Sequence, residues 1–169
     1  MKKLAIALAL VLSSQASAKD IQNWTMLDEK TKGGYNASFT NSVNIPNYVF
    51  SYACNPASGN HWFTIIGISG AELPTNISSV RIQFDDKEII SAPVKIFDHE
   101  KWLYISETES FNQVIKNIRP STSMKIELHL KNTTRYPIFS LMGASKAIMN
   151  TVSECEKSEG FTPTNEGFI

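Results

Sequence analysis

The feature that most constrains the fold is an alternation of apolar and polar residues in short runs that end at turn-forming residues. In residues 124–130, MKIELHL, apolar side chains alternate with Lys125, Glu127 and His129. A period of two places the apolar residues on one face of a β-strand, so this run predicts a strand that is buried on one side. Residues 79–84, SVRIQF, repeat the pattern.

Other alternating or apolar runs predict the remaining strands, and clusters of turn residues such as NPASGN and DDK separate them. We predict strands at residues 21–27 and 35–40, paired as a hairpin around a turn at 32–34, and at residues 48–54, 62–68, 88–97, 102–106 and 136–141.

Two segments change to the period of a helix. Residues 110–120, SFNQVIKNIRP, have apolar residues three to four positions apart, a capping-box pair in Ser110 and Gln113, and a proline at the end. Residues 144–155 place Cys155 on the apolar side of a second helix. The whole pattern predicts a mainly β fold, an antiparallel β-sandwich-like domain with two short α-helices, one of them C-terminal.

Residues 1–18 are typical of a bacterial signal peptide. Lys2 and Lys3 precede an apolar core at 4–12, and Ala-Ser-Ala at 16–18 is a cleavage sequence. An uncleaved membrane anchor is the alternative, but the core is too short to span a bilayer. We therefore expect a periplasmic or secreted location, a single β-rich exported domain over 19–155 without a membrane span, and a flexible tail over 156–169.

Cys54 and Cys155 are the two cysteines of the chain. In an oxidising compartment an even count favours a disulfide, and two cysteines allow one intramolecular pairing. Two free thiols or an intermolecular bridge are the alternatives. A redox-active pair is not indicated, because the cysteines lack C-x-x-C spacing.

The charge balance argues against a nucleic-acid partner. The chain has 16 Lys and Arg against 16 Asp and Glu, and removal of Lys2 and Lys3 leaves 14 against 16. Such a surface lacks the positive field that binds phosphate backbones or anionic lipid.

The pattern indicates no catalytic site, metal site or cofactor. Asp85 and Asp86 are adjacent at a turn and point apart, and His99 lies in a DHE turn without the spacing of a zinc site. A hydrolase that uses Asp85, Asp86 or His99, with at least two of them in one pocket, remains an alternative. The aromatic residues Trp62, Trp102 and Tyr104 lie within predicted strands and are expected mainly in the core, or else in a carbohydrate- or peptide-binding platform. Together the candidate binding residues are His61, Trp62, Asp85, Asp86, His99 and Trp102.

The order of several motifs resembles the VasI-type periplasmic proteins associated with type VI secretion and, more loosely, the invasion-associated locus B proteins. These motifs are WFTIIG at 62–67, V-x-I-x-F-D-D at 80–86, KIELHL at 125–130 and F-x-L-x-G-x-x-x-A-I at 139–148, with Cys54 and Cys155. The resemblance spans residues 48–155. It implies a β-rich exported domain with a strand-to-helix disulfide and no enzymatic activity.

We therefore expect a non-enzymatic periplasmic binding or accessory protein whose partner is another protein of the cell envelope or of a secretion apparatus. The alternative is an immunity or inhibitor protein that blocks a toxin or a lysozyme-like hydrolase.

Overall fold

The computed structural model describes residues 18–21, 23–27, 34–97 and 102–157. Of the predicted signal peptide only Ala18 lies within these ranges, and of the predicted tail only Glu156 and Lys157. The rest of both segments and His99 lie outside the described residues.

The described residues form twelve strands and two helices, and all the pairings between these strands are antiparallel. The predicted mainly β fold with two short helices is confirmed. The strands are β1 (Ala18–Ile21), β2 (Trp24–Leu27), β3 (Asn36–Asn41), β4 (Tyr48–Asn55), β5 (Asn60–Gly67), β6 (Ser79–Phe84), β7 (Ile90–Pro93), β8 (Lys95–Phe97), β9 (Trp102–Ile105), β10 (Ser123–His129), β11 (Thr134–Arg135) and β12 (Ile138–Ser140), and the helices are α1 (Thr108–Ile118) and α2 (Ala144–Glu156).

The strands form two sheets. The larger sheet has seven strands in the order β1-β2-β3-β4-β5-β9-β8. The smaller sheet has the order β11-β10-β6-β7, with β12 paired to β10. An isolated bridge between Ser42 and Phe139 continues β3 into the smaller sheet, so the two sheets are joined there.

The predicted strand at 88–97 is wrong in one respect, because it is two strands in different sheets. β7 pairs with β6 of the smaller sheet, and β8 pairs with β9 of the larger one. Val94 lies between them, and its buried backbone N–H donates to the Ser78 carbonyl at 2.9 Å. The chain passes from one sheet to the other at this residue while its extended conformation continues.

The main hydrophobic core lies between the two sheets. The stacked rings of Phe50 and Phe63 point from neighbouring strands of the larger sheet toward the smaller one, and Phe139 meets Phe50 at 5.8 Å between ring centroids. We call this side of the larger sheet its inner face and the opposite side its outer face.

Both helices complete the inner face. In α1, Phe111 stacks on Phe63 at 4.9 Å between ring centroids. The capping-box prediction for this helix is wrong, because the helix begins at Thr108 with Glu107 at its N-cap position. Ser110 lies inside the helix, where its hydroxyl donates to Glu107 Oε2 at 2.5 Å.

The predicted disulfide is present and fixes α2 to the larger sheet. Cys54 of β4 and Cys155 of α2 are bonded across 101 residues of sequence, with 6.5 Å between their Cα atoms. Both cysteines are fully buried. The Asn36 side-chain amide donates toward Cys155 Sγ at 3.5 Å, so the bridge lies under a polar group of β3.

Candidate functional site

The structure does not bring the predicted binding residues together. His61 points to the inner face of the larger sheet, whereas Trp62 and Trp102 point to its outer face. Asp85 and Asp86 lie in the turn between β6 and β7 of the smaller sheet. Three separate places must therefore be considered.

Asp85 holds a turn together. Its carboxylate accepts hydrogen bonds from the backbone N–H and the hydroxyl of both Thr122 and Ser123, at 2.9 to 3.2 Å. Desolvation raises the pKa of Asp85, but these four donors together outweigh it and hold the pKa below its ordinary value. Asp85 also has a positive φ of 46°, which Asp tolerates better than most residues.

Asp86 is exposed in the same turn. A pair of carboxylates in hydrolysis needs one group to carry a proton and the other to act as a base or a nucleophile. The donors around Asp85 stabilise its ionised form and occupy its oxygens, so the geometry assigns it to the junction between the β6–β7 turn and β10.

His61 is a core residue that sequence reasoning placed on a surface. Its side chain exposes 3% of its area and packs beside the rings of Tyr52 and Phe111. Burial lowers the pKa of His61 to about 4, so the imidazole is neutral at pH 7. The Tyr52 hydroxyl lies 2.5 Å from His61 Nδ1. Burial, with a smaller effect of the Glu156 charge, raises the pKa of Tyr52, so this hydroxyl keeps its proton.

The outer face of the larger sheet is more buried than a solvent-exposed sheet face normally is. In β10 of the smaller sheet, buried positions alternate with more exposed ones. In β4, seven consecutive residues are buried, so both faces of that strand are covered. Strands with both faces buried have near-continuous apolar runs, and residues 48–54 are apolar except for Ser51.

The side chains responsible for this burial are aromatic. Trp62 of β5 lies opposite Ala53 of β4, which lies opposite Ala37 of β3. Tyr35 meets Trp62 edge-on at 5.6 Å between ring centroids. Phe39 and Trp62 are half-buried against these small residues, together with Tyr35.

The aromatic cluster continues across β9. The register places Tyr104 opposite Thr64 and Trp102 opposite Ile66. The rings of Trp102 and Tyr104 are 5.9 Å apart, and both are half-buried. Trp62 and Trp102 flank a stretch of about 13 Å, because Trp102 lies opposite Ile66, four positions along β5 from Trp62. We call the surface formed by Tyr35, Phe39, Trp62, Trp102 and Tyr104 the aromatic face.

The centre of the aromatic face carries little charge. Ser51 and Thr64 lie between the aromatic side chains, and their hydroxyl oxygens are 2.6 Å apart in a buried hydrogen bond. Lys95 lies opposite Tyr104 on the outer face. Among the described outer-facing positions of β2, β3, β4, β5, β9 and β8, it is the one with a charged side chain. The face can therefore offer flat apolar area but few polar groups.

Neither the smaller sheet nor the helices contribute a described residue to the cluster around Ala37 and Ala53. Sequence reasoning named Trp62 and Trp102 as candidates but expected the aromatic residues mainly in the core. The signal that identifies the face is the loss of alternation in residues 48–54, which indicates burial on two sides.

Within the described ranges, no group of three His, Cys, Asp or Glu side chains could hold a metal ion. In the same residues, no helix is both long and apolar enough to cross a bilayer.

Comparison with known proteins finds no match to this chain among family models, curated proteins or solved structures. The geometry of the aromatic face is therefore the main basis for a functional proposal.

Proposed function

We propose that this chain is an exported, non-enzymatic binding protein that holds another protein of the cell envelope or of a secretion apparatus against its aromatic face. The observation that carries the proposal is the clustering of five half-buried aromatic side chains on the one face of the larger sheet that neither the smaller sheet nor the helices cover. The buried disulfide is compatible with an extracytoplasmic location.

The composition of the face supports a protein partner. The cores of protein–protein interfaces are enriched in Tyr, Trp and Phe and depleted in charged residues. Trp and Tyr also supply a large share of binding free energy when they are desolvated in an interface. The low count of free polar groups argues against a carbohydrate, whose many hydroxyls need hydrogen-bond partners.

The proposal of a non-enzymatic role rests on the states of the polar candidates. The Asp85 carboxylate is occupied by Thr122 and Ser123, and His61 is buried and neutral beside Tyr52. His61 does not face a surface on which a substrate would lie, and the Asp85 carboxylate already accepts from four donors.

The test is affinity purification of the tagged full chain from the envelope of its native host, with quantitative mass spectrometry. We expect one envelope protein to co-purify with the wild type and with the control Ile89→Ala. Ile89 is 40% exposed and lies beside the smaller sheet. Trp62→Ala combined with Trp102→Ala should reduce recovery more than tenfold, since truncation of one central Trp costs about 2 kcal/mol or roughly 30-fold in Kd.

Thermal unfolding of each variant separates loss of binding from loss of folding. Equal recovery of the same proteins by all three chains would refute a role for the aromatic face. A toxin or hydrolase recovered in stoichiometric amount would instead favour an inhibitor.

A further inference from the structure

The methionines of the chain divide into two pairs by their burial. The chain has five methionines, and Met1 lies in the predicted signal peptide, outside the described residues. Of the other four, Met26 is 5% exposed and Met124 is 0% exposed, whereas Met142 is 53% and Met149 66% exposed. A reagent that approaches the thioether sulfur from solvent therefore meets two of these side chains and not the other two.

The buried pair belongs to the main hydrophobic core. Met124 of β10 lies opposite Phe84 of β6 on one side and opposite Phe139 of β12 on the other. Met26 of β2 lies opposite Ser38 of β3. Oxidation of either sulfur would place a polar sulfoxide among apolar side chains, which is unfavourable.

Met142 has a fixed backbone and an open side chain. It lies between β12 and α2, and its N–H donates to Ser140 Oγ at 3.4 Å. Its carbonyl accepts from the Asn23 N–H at 3.4 Å. A change at the sulfur would therefore alter the surface of this junction and not its backbone contacts.

Met149 lies on the exposed side of α2. The neighbours of Met149 on the helix surface, three residues before and four after, are Lys146 and Ser153, and both are exposed. The residues that α2 buries against the sheet are Ala144, Ala147, Ile148, Thr151, Val152 and Cys155. The core contacts of the helix therefore do not include Met149.

A thioether reacts with a peroxide by oxygen transfer. A lone pair of the sulfur attacks one peroxide oxygen, so an S–O bond forms while the O–O bond breaks. The leaving hydroxide takes a proton and departs as water. The sulfur is oxidised by two electrons, the peroxide is reduced, and the product is methionine sulfoxide.

We propose that Met142 and Met149 are the sites at which peroxides oxidise the folded chain, and that their sulfoxides are substrates of a thiol-dependent methionine sulfoxide reductase. In the return step two thiols of the reductase or its donor become a disulfide, the oxygen leaves as water, and the thioether is restored. The thiols must come from outside, because Cys54 and Cys155 are bonded to each other and fully buried.

The exposure of both positions makes the cycle compatible with the folded state. A sulfoxide that stays in water has no desolvation cost, so its formation leaves the packing between the sheets unchanged. A reductase can reach the same exposed side chain without unfolding of the chain. The inference is independent of the aromatic face and of the partner proposed for it.

The experiment treats the purified full chain, with its disulfide intact, with hydrogen peroxide and follows each methionine by peptide mass spectrometry. We expect Met142 and Met149 to gain one oxygen each at least about tenfold faster than Met26 and Met124, because the buried pair must wait for the structure to open. In urea, where the chain is unfolded, all four should react at similar rates. This comparison removes differences in intrinsic reactivity.

A variant without the exposed thioethers is the matched control. Met142→Leu with Met149→Leu keeps two apolar side chains of similar volume at exposed positions. The folded variant should gain no oxygen in the time that the wild type gains two. The thermal unfolding midpoint of the doubly oxidised wild type should remain within about 2 °C of that of the untreated chain.

The second step is tested on the doubly oxidised folded chain. Two methionine sulfoxide reductases, one for each sulfoxide epimer, are added with dithiothreitol as the thiol donor. We expect both oxygens to be removed. The proposal would be overturned by equal oxidation rates at all four positions of the folded chain, by faster oxidation of Met26 or Met124, or by sulfoxides at 142 and 149 that the reductases leave in place.

Discussion

The Tyr52 hydroxyl and His61 Nδ1 lie 2.5 Å apart on neighbouring strands. Tyr52 is two positions along β4 from Cys54, which forms the disulfide with Cys155. Tyr52 is fully buried and His61 nearly so, and Phe111 of α1 packs against both rings. A neutral imidazole can accept the tyrosine proton at Nδ1, whereas a protonated imidazole cannot. This contact joins β4 and β5 of the larger sheet, beside α1, through a group whose protonation depends on pH.

The first prediction is acid destabilisation through His61. Burial lowers its pKa from the ordinary value of 6.5, which applies to the unfolded chain, to about 4 in the folded chain. The stabilisation is therefore complete above pH 6.5 and is lost progressively as pH falls from there to about 4, because only the unfolded chain binds the proton in that window. We expect the free energy of unfolding to decrease by about 2 kcal/mol between pH 8 and pH 5 from this residue. Urea unfolding across that range measures it.

His61→Gln is the control for this prediction, because glutamine does not titrate. Its free energy of unfolding should be lower than that of the wild type at pH 8 but should change less between pH 8 and pH 5. Parallel curves for the two chains would assign the acid sensitivity to other groups.

The second prediction concerns the disulfide. A bond that closes a loop of about 100 residues restricts the unfolded chain by about 4 to 5 kcal/mol in the chain-entropy model. We expect Cys54→Ala with Cys155→Ala to lose about 2 to 5 kcal/mol of stability, measured by urea unfolding.

Dithiothreitol provides the matched comparison. It should lower the unfolding midpoint of the wild type toward that of the double variant, which should itself be insensitive to the reductant. A double variant as stable as the oxidised wild type would show that the bridge does not stabilise the fold.

The sequence was most informative where a strand has one face in water. β10 alternates because its outer face is solvated, so its position was predictable to within one residue at each end, together with its buried residues Met124, Ile126 and Leu128. The disulfide was predictable because two cysteines allow one internal pairing. The split between β7 and β8 was not, because Val94 carries the chain from one sheet to the other without a change in period.

The candidate site was less predictable, for a physical reason. Trp62 and His61 are adjacent in β5 and point to opposite faces, but both faces of this strand carry large side chains. Which face meets the second sheet depends on contacts with residues far along the chain, such as Phe111 and Phe139. The turn at Asp85 was predictable, whereas its hydrogen bonds to Thr122, 37 residues away, were not.

The third prediction separates Asp85 from Asp86. Asp85→Ala removes an acceptor of four donors and places alanine at a positive φ, so we expect a loss of about 2 to 3 kcal/mol. Asp86→Ala should change stability by less than about 0.5 kcal/mol, since this side chain is exposed.

Asp85→Asn should be intermediate, because asparagine tolerates the backbone conformation and keeps one acceptor oxygen. Thermal unfolding at pH 7 ranks the three chains. The pKa of Asp85 is below its ordinary value, so its stabilisation is present above about pH 4 and is lost as pH falls through the folded pKa. Equal losses for Asp85→Ala and Asp86→Ala would contradict the assigned role.

The fourth prediction compares two buried serines of the larger sheet. Ser38 is fully buried on the inner face, and its hydroxyl has no hydrogen-bond partner among the described residues. Ser51 is buried on the outer face and is paired with Thr64. We expect Ser38→Ala to raise the free energy of unfolding by up to about 1 kcal/mol, because it removes a desolvated hydroxyl that gains nothing in return.

Ser51→Ala should lower the free energy of unfolding by about 1 kcal/mol, since it leaves the Thr64 hydroxyl buried without its partner. Because both changes remove one oxygen from a buried strand position, the difference in sign isolates the hydrogen bond from the loss of volume. Urea unfolding of the two chains at the same pH measures it. A loss of stability in Ser38→Ala as large as that in Ser51→Ala would mean that the Ser38 hydroxyl is satisfied by a buried water molecule.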